Sequence, residues 1–421
     1  MSSWLRRVLP PSLGGVTKRS GRSRLASASR PLYTCDLDEE PVQNYKPGGY
    51  HPVQIGDKLD KGRYKILHKL GWGGFSTVWA ARDEETGTNV ALKILQAAAS
   101  GEKRPRRGLQ NLQYLRDHAS DHPGFRHIAS LRNEFQQHGP NGDHKCLVLD
   151  LTGPSIQDYI NKHVDGIRLP GKLAKTFARQ TLSALTCLHA NGITHGDLHN
   201  NNLAIGVPSL AQASESKILA SLGSPRTEPV TRTDGGALSP NVPPYVVKPS
   251  SFSSQTDDLD FTALKLVDFG ASFRGTVAPT SLLNPPVIRS PEQFFGDTLD
   301  HRVDLWSMGC TLFELVSGQT PFESDNATPE SIARQMLYLI RDEFPERWSE
   351  KRRALESQEA GSKASSLREW LGLLYFDSEE EVTFSKDEVE RVGGLVERLL
   401  RFEPGERASA DEVLRDEWFD E

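Results

Sequence analysis

The sequence is short of several features that would point elsewhere. Its four cysteines, Cys35, Cys146, Cys187 and Cys310, lie far apart with no CxxC pair. A zinc ribbon or a disulfide framework is therefore not expected, and a reducing intracellular setting is. No apolar run approaches the roughly 20 residues of a membrane-spanning helix. Positive charge is not in excess: 50 Lys and Arg stand against 56 Asp and Glu. A nucleic-acid-binding domain would normally be basic, so direct nucleic-acid contact is not expected. No internal repeat is visible. What remains is a globular composition, 37% hydrophobic and 25% charged, over 421 residues. That length suits one large domain or two ordinary ones.

The charge is uneven. Residues 1 to 35 hold seven Lys or Arg and no Asp or Glu, with several Ser and scattered Leu. This composition resembles a mitochondrial transit peptide. Pro10, Pro11, Gly14 and Gly15 interrupt any amphipathic helix there, which suits an unstructured basic tail instead. No uninterrupted apolar core follows the first arginines, so a secretory signal is not expected. Residues 1 to 47 are read as a segment without structure of its own.

From Tyr64 the pattern becomes strand-like. RYKILHKLG, STVWAARD and NVALKIL are rich in branched and aromatic residues and are broken by turn residues. They read as three antiparallel strands. GLQNLQYLRDHAS has Leu109, Leu112 and Leu115 at helical spacing. HIASLRNEF and KCLVLDL read as two more strands. Residues 60 to 150 thus predict a small sheet with one helix. After Gly153 the signal turns helical, with LAKTFARQTLSALTCLHANG the clearest case. Residues 207 to 260 are rich in Ser, Pro, Gly and Thr and read as an insertion loop with little structure.

Three motifs carry chemistry. In LGWGGFSTVW, residues 70 to 79, Gly71 and Gly73 let backbone N–H groups approach a polyphosphate. A tight turn would look the same. VALK follows about fifteen residues later, and its Lys93 can reach the same phosphates. KLVDFG puts Asp268 at the end of an apolar strand before a glycine, which suits a divalent metal bridging phosphates. HGDLHNNN, residues 195 to 202, is ambiguous by itself. His195, Asp197 and His199 alternate, as metal ligands on a strand would. The same letters fit a phosphotransfer loop with an Asp base and an Asn.

The order settles that choice. A Gly-rich hairpin, a strand lysine, an HxD loop ending in Asn, DFG, RSPEQFFG and DLWSMG follow one another as in the eukaryotic protein kinase signature. The resemblance implies a two-lobed α+β protein kinase fold: a small antiparallel β-sheet lobe with one helix, residues 60 to 150, and a larger, mainly helical lobe, residues 151 to 421. It implies ATP and Mg²⁺. Asp197 becomes the catalytic base, with Lys93 and His199 beside it. Asn202 and Asp268 become the metal ligands, and His195 packs beneath the site. Leu70, Gly71, Trp72, Gly73, Gly74, Phe75 and Ser76 would cover the nucleotide. Val78 and Ala91 would sandwich adenine, and Leu151 would offer it backbone bonds. Glu292 is expected to pair with Arg407, and Asp304 to hold the catalytic loop. HGDLH also resembles small-molecule kinases, but those lack the segment from Ser290 onward.

The resemblance narrows further. GGYHPVQIGDKLDKGRYKILHKLGWGGFSTVWAARD, with Ser76 in place of a third glycine, resembles the serine/arginine-protein kinase family. So do CLVLDLTGPSI, with Leu149 at the back of the pocket, and PRTEPVTRTDGGALSPNVPPYVV. The likeness covers residues 48 to 420. It implies phosphate transfer to Ser or Thr of protein substrates, including Arg/Ser-rich ones, by a monomeric chain in the cytoplasm or nucleus. The acidic run FDSEEEVTFSKDEVE could attract a basic substrate or could be a solvated face.

Three departures stand out. Gly196 replaces the Arg that precedes the catalytic Asp, so a loop over 270 to 289 that works unphosphorylated is expected. His199 replaces a Lys that touches the transferred group, which implies slower chemistry, relieved towards pH 6. Asn111 occupies the place of the helix Glu that pairs with Lys93, with Gln110 adjacent and Glu102 the only acid nearby. That keeps open a second reading, a weakly binding pseudokinase that serves as an interaction module.

Overall fold

The computed structural model describes residues 31–37, 39–100, 103–252, 257–275, 278–322, 328–356 and 366–420. Glu102 and residues 1–30 lie outside these, and most of the targeting reading with them.

The first lobe rests on one antiparallel sheet. Strands β1 (Tyr64–Gly73), β2 (Ser76–Asp83) and β3 (Thr88–Leu95) run as consecutive hairpins. Strands β4 (Leu131–Gly139) and β5 (Gly142–Asp150) complete it in the order β1-β2-β3-β5-β4, with Lys58–Leu59 beside β1. Alternation along each strand divides the side chains between two faces. Trp79, Leu92, Ile94, Cys146 and Val148 share one face and a core with Val53, Tyr64 and Ile66. On the other face the register sets Val78 opposite Lys93 and Ala91 opposite Leu149. This second face looks onto the larger lobe. The predicted helix is α1 (Lys103–His118); Leu109, Leu112 and Leu115 are buried on its inner stripe.

The second lobe is mainly helical, as the sequence implies. Helix α2 (Gly171–Ala190) packs against α3 (Arg302–Ser317), and α3 against α5 (Lys386–Leu399), which packs on α4 (Leu367–Phe376). Helix α3 is buried on nearly every side, which explains why it lacks a polar stripe. The expected pair of Glu292 and Arg407 is present. Two bonds of 2.7 Å join them out of water, and Arg407 also donates to the Arg302 carbonyl.

Two expectations need correction. The stretch 207–260 is not structureless. It forms helices Pro208–Ala211 and Glu215–Leu222 and a strand pair, Thr227–Pro229 with Tyr245–Val247. Its one helical spacing, Ile218, Leu219 and Leu222, spans a single turn and is lost among Ser, Pro and Gly. Its apolar residues nonetheless find partners: Leu210, Ile218, Leu222 and Phe252 pack on Leu67, Ala80 and Leu151. Nor is the described part of residues 1–47 without structure. Tyr33–Thr34 pairs with Thr231–Arg232, and Val42 and Tyr45 pack with Tyr50, Val230, Val242 and Val246 of the insertion.

One buried ion pair pins this N-terminal segment to the sheet. Lys69 of β1 is fully buried and pairs with Glu40, while the Tyr45 hydroxyl donates to the other Glu40 oxygen at 2.6 Å. Burial pushes the Lys69 ammonium down from its ordinary pKa, and Glu40 works against that. Glu40→Ala would strand the ammonium in the core. The expected cost is about 3–5 kcal/mol of unfolding free energy, measured by chemical denaturation. A loss below about 1 kcal/mol, the worth of an exposed pair, would show that the segment is not anchored there.

Candidate active site

The short strand Ile193–Thr194 pairs with Phe273–Arg274, and β6 (Leu203–Gly206) pairs with β7 (Asp260–Leu266). These two pairings bring the HGDLHNNN loop and the DFG turn side by side. The loop itself is held from below. The Asp304 carboxylate, buried in the first turn of α3, accepts the backbone N–H groups of His195 at 2.7 Å and Gly196 at 2.8 Å. His189 lies 3.1 Å from the same carboxylate. Burial opposes the Asp304 charge, but these bonds win and hold the carboxyl below its ordinary pKa. Asp304 therefore does what its place in the sequence implied.

The alternation of His195, Asp197 and His199 is not that of a metal site. His195 is fully buried, with Nε2 bonded to the Val267 carbonyl at 2.9 Å and its ring edge-on to Phe269. Its Nδ1 accepts the Asp197 N–H. Among the described residues, no three His, Cys, Asp or Glu side chains are grouped to hold a metal.

Asp197, His199 and Asn202 do converge. Asn202 donates its amide N–H to the Asp197 carbonyl at 2.8 Å, which leaves the amide oxygen as its available metal donor. The Asp197 Oδ1 atom is buried and makes no hydrogen bond. An orphaned carboxylate oxygen is costly, and one at this place fits a group that receives a proton. His199 Nδ1 accepts the Asn201 N–H at 3.2 Å, and its Nε2 lies 3.2 Å from the Asn202 amide nitrogen and 3.5 Å from Asp197 Oδ1. Behind the loop, burial pushes the Glu314 carboxyl of α3 up, opposed by the nearby His199.

Asp268 completes the arrangement from the other side. Its backbone is left-handed, with φ of 58°, and its Oδ1 accepts the Gly270 N–H at 3.0 Å. Lys93 donates to the same oxygen at 2.7 Å. The Lys93 ammonium holds the Asp268 carboxyl well below the usual carboxylate range. Lys93 thus has a carboxylate partner, and it is not on the helix. Asn111 is buried and bonds Ser272 instead.

The Gly-rich stretch is the β1–β2 hairpin, closed by Gly73 opposite Ser76. Leu70 packs against the hinge-side cluster that includes Leu151. Gly71 is paired opposite Val78, Gly74 and Phe75 form the turn, and Trp72 and Phe75 are exposed. The hairpin is tied down from outside: the Tyr50 hydroxyl donates to the Gly73 carbonyl at 2.9 Å, and the Trp72 indole to Glu39 at 3.0 Å. Sequence reasoning did not single out Tyr50, Glu39, Ser272 or Glu314, since nothing in their local pattern points to the site. Leu282 was missed too. Gly196 has φ of 79°, and a Cβ there would meet the Ala271 carbonyl oxygen at 3.0 Å and Leu282 at 3.3 Å. Leu282 is buried with Phe273, Leu299 and Val303. The Ala271 carbonyl and the Leu282 side chain therefore border the place of the absent arginine.

In the acidic run from Phe376, two carboxylates have structural partners, while Asp377, Glu379, Glu381, Asp387 and Glu390 are exposed. Glu380 accepts the Ile167 N–H, and Glu388 caps α5 with Ser385 and pairs with Lys175. Among the described residues, no helix is long and apolar enough to cross a membrane.

Comparison with known proteins agrees with this geometry. The protein kinase domain family matches residues 64–210 and 248–419, leaving out most of the folded insertion. Serine/threonine-protein kinase SRPK of Physarum polycephalum is 28% identical over 395 residues, covering 90% of this chain and 91% of that protein. Protein kinase dsk1 of Schizosaccharomyces pombe is 26% identical, covering 91% and 85%. SRSF protein kinase 3 of Homo sapiens is 36% identical over 174 residues, or 41% of this chain and 30% of that protein. The chain belongs to the protein kinase family, as a serine/threonine protein kinase similar to the SRPK kinases.

Proposed function

We propose that this kinase transfers the ATP γ-phosphate to Ser or Thr hydroxyls of Arg/Ser-rich proteins, with Asp197 as the base. The observation that carries the role of Asp197 is its buried, unbonded Oδ1 beside Asn202 and His199. The substrate hydroxyl would give its proton to Asp197 as its oxygen attacks the γ-phosphorus, and ADP would leave. Asn202 and Asp268 offer hard oxygen donors that fit Mg²⁺. Such an ion would neutralise charge on the phosphates. Lys93, drawn to Asp268 here, would also meet phosphate oxygens, and the hairpin from Leu70 to Ser76 would cover them. Val78, Ala91 and Leu151 would frame the adenine.

The Arg/Ser-rich substrate class rests on the likeness to kinases whose names carry SRPK and SRSF. The four free cysteines, three of them buried, suit a reducing compartment. We place the kinase in the cytoplasm or nucleus, working as a monomer.

Asp197→Asn is expected to lower phosphate transfer to an Arg/Ser peptide by about 10²–10⁴-fold, the usual worth of a general base, with nucleotide affinity kept. A variant as active as the parent would remove Asp197 from the chemistry. Equal inactivity of the two, in a radioactive transfer assay, would favour the pseudokinase reading.

A lysine at position 199 would add charge where phosphate charge develops. His199→Lys should therefore raise turnover by about threefold to tenfold, the effect of roughly 1 kcal/mol at the barrier. Steady-state kinetics at pH 7 decide this; a turnover unchanged or lower would show that the imidazole is not limiting.

The Leu282 contact predicts independence from loop phosphorylation. Phosphatase-treated protein should keep its activity. Leu282→Asp should lose most of it, because a carboxylate would be buried among Phe273, Leu299 and Val303. Activity abolished by the phosphatase would contradict this account of the loop.

A further inference from the structure

Helix α1 meets the DFG turn along one narrow face. At Gly108 a Cβ would lie 2.4 Å from the Phe269 carbonyl oxygen, so only glycine allows the helix this close. Three residues on, the Asn111 amide donates to Ser272 Oγ at 2.9 Å. Both side chains are buried. Ser272 Oγ in turn donates to the Phe269 carbonyl at 2.8 Å, and the Ser272 N–H reaches the same oxygen at 3.1 Å.

The direction of these bonds decides which residue fits at 111. The Ser272 hydroxyl hydrogen is directed to Phe269, so its oxygen offers Asn111 only lone pairs. A donor belongs there. An ionised Glu would face that oxygen without a proton to share. Its cationic partner is also engaged, since Lys93 pairs with Asp268. The turn that Asn111 reaches, Phe269–Ala271, is capped by Asp268. The left-handed backbone of Asp268 is costly for a non-glycine residue and persists only where its surroundings impose it.

We propose that Asn111 is a positioning residue for phosphoryl transfer: through Ser272 it latches the DFG turn to helix α1 and so orients Asp268 and, with it, Lys93. The asparagine is thus a working alternative to the helix acid, matched by Ser272 and Gly108 across the contact. This rests on the reading of Lys93 and Asp268 as nucleotide and metal contacts.

The test uses the full chain with Asn111→Leu, Ser272→Ala, the double variant and Asn111→Glu. Transfer to an Arg/Ser peptide is measured with ATP varied, and amide hydrogen exchange is followed over 269–273. Asn111→Leu and Ser272→Ala should each lower kcat/KM for ATP by about tenfold, near 1.4 kcal/mol. The double variant should be no worse than the weaker single one, because both remove the same bond. Exchange over 269–273 should quicken in all three. Asn111→Glu should be slower than the parent. Parent-like rates and exchange in Ser272→Ala, additive losses in the double variant, or a faster Asn111→Glu would each overturn the latch. If the parent itself transfers no phosphate, the kinase reading fails, and the exchange comparison still decides whether the latch exists.

Discussion

The carboxylate of Asp304 sits in the first turn of a helix with almost no contact with water, and it holds two consecutive backbone N–H groups, those of His195 and Gly196. Everything at the site is referred to that point. A buried carboxylate without partners would cost far more than any single contact returns. With its bonds made it becomes rigid, because moving the loop would strand both the charge and the two N–H groups. From there Asp197 is one peptide away, and Asn202 folds back onto the Asp197 carbonyl. The same helix is anchored at its start by Arg407, whose guanidinium joins the Arg302 carbonyl to Glu292. The catalytic loop and the segment after Ser290 are therefore tied to one buried scaffold.

The upper half of the cleft is braced differently. Its sheet is clasped by two segments far apart in sequence. The N-terminal stretch and the insertion pair with each other through Tyr33–Thr34 and Thr231–Arg232, and close a small apolar core around Tyr45, Tyr50 and Val246. Tyr245 accepts the Ile55 N–H, so the YHPVQIGD and PPYVV stretches meet in space. Tyr50 then carries this brace to the Gly73 carbonyl. A glycine-rich hairpin is floppy by composition; here its outer side is fastened, while Trp72 and Phe75 stay exposed.

Residues whose role depends on sequence order were legible, and residues whose role depends on a distant partner were not. Alternation gave away the three strands of the first hairpins, and the Leu109, Leu112 and Leu115 spacing gave away α1. Asp197, Asn202 and Asp268 stand in a series of motifs, so their convergence could be expected before any coordinates. The insertion resisted because Leu210, Ile218, Val230 and Val246 do not fall on one 3.6 or 2.0 period; they are buried in two clusters completed by the sheet and the N-terminal segment. Glu40 and Lys69 look like ordinary surface charges in sequence and become a buried pair only when the N-terminal segment docks. Ser272 looks like a turn residue until Gly108 allows the helix to touch it.

The departures from the expected signature share one physical character. At Gly196 an arginine that would read a phosphate is gone, and Leu282, packed with Phe273, Leu299 and Val303, borders its place. At Asn111 an acid that would read Lys93 is gone, and an amide bonded to Ser272 takes over. In both places a charge-dependent contact is replaced by a neutral one. Ion pairs can be made and broken by adding or removing a phosphate and weaken as salt screens them. An apolar contact and a buried neutral hydrogen bond respond to neither. On the proposed reading, the same two exchanges that make the chain look deficient as a kinase would let its cleft keep one arrangement without a charge switch at these two places. Among the described residues Lys93 keeps one carboxylate partner, Asp268, whose side chain is about half exposed at 47% and so stays open to a metal ion and phosphate.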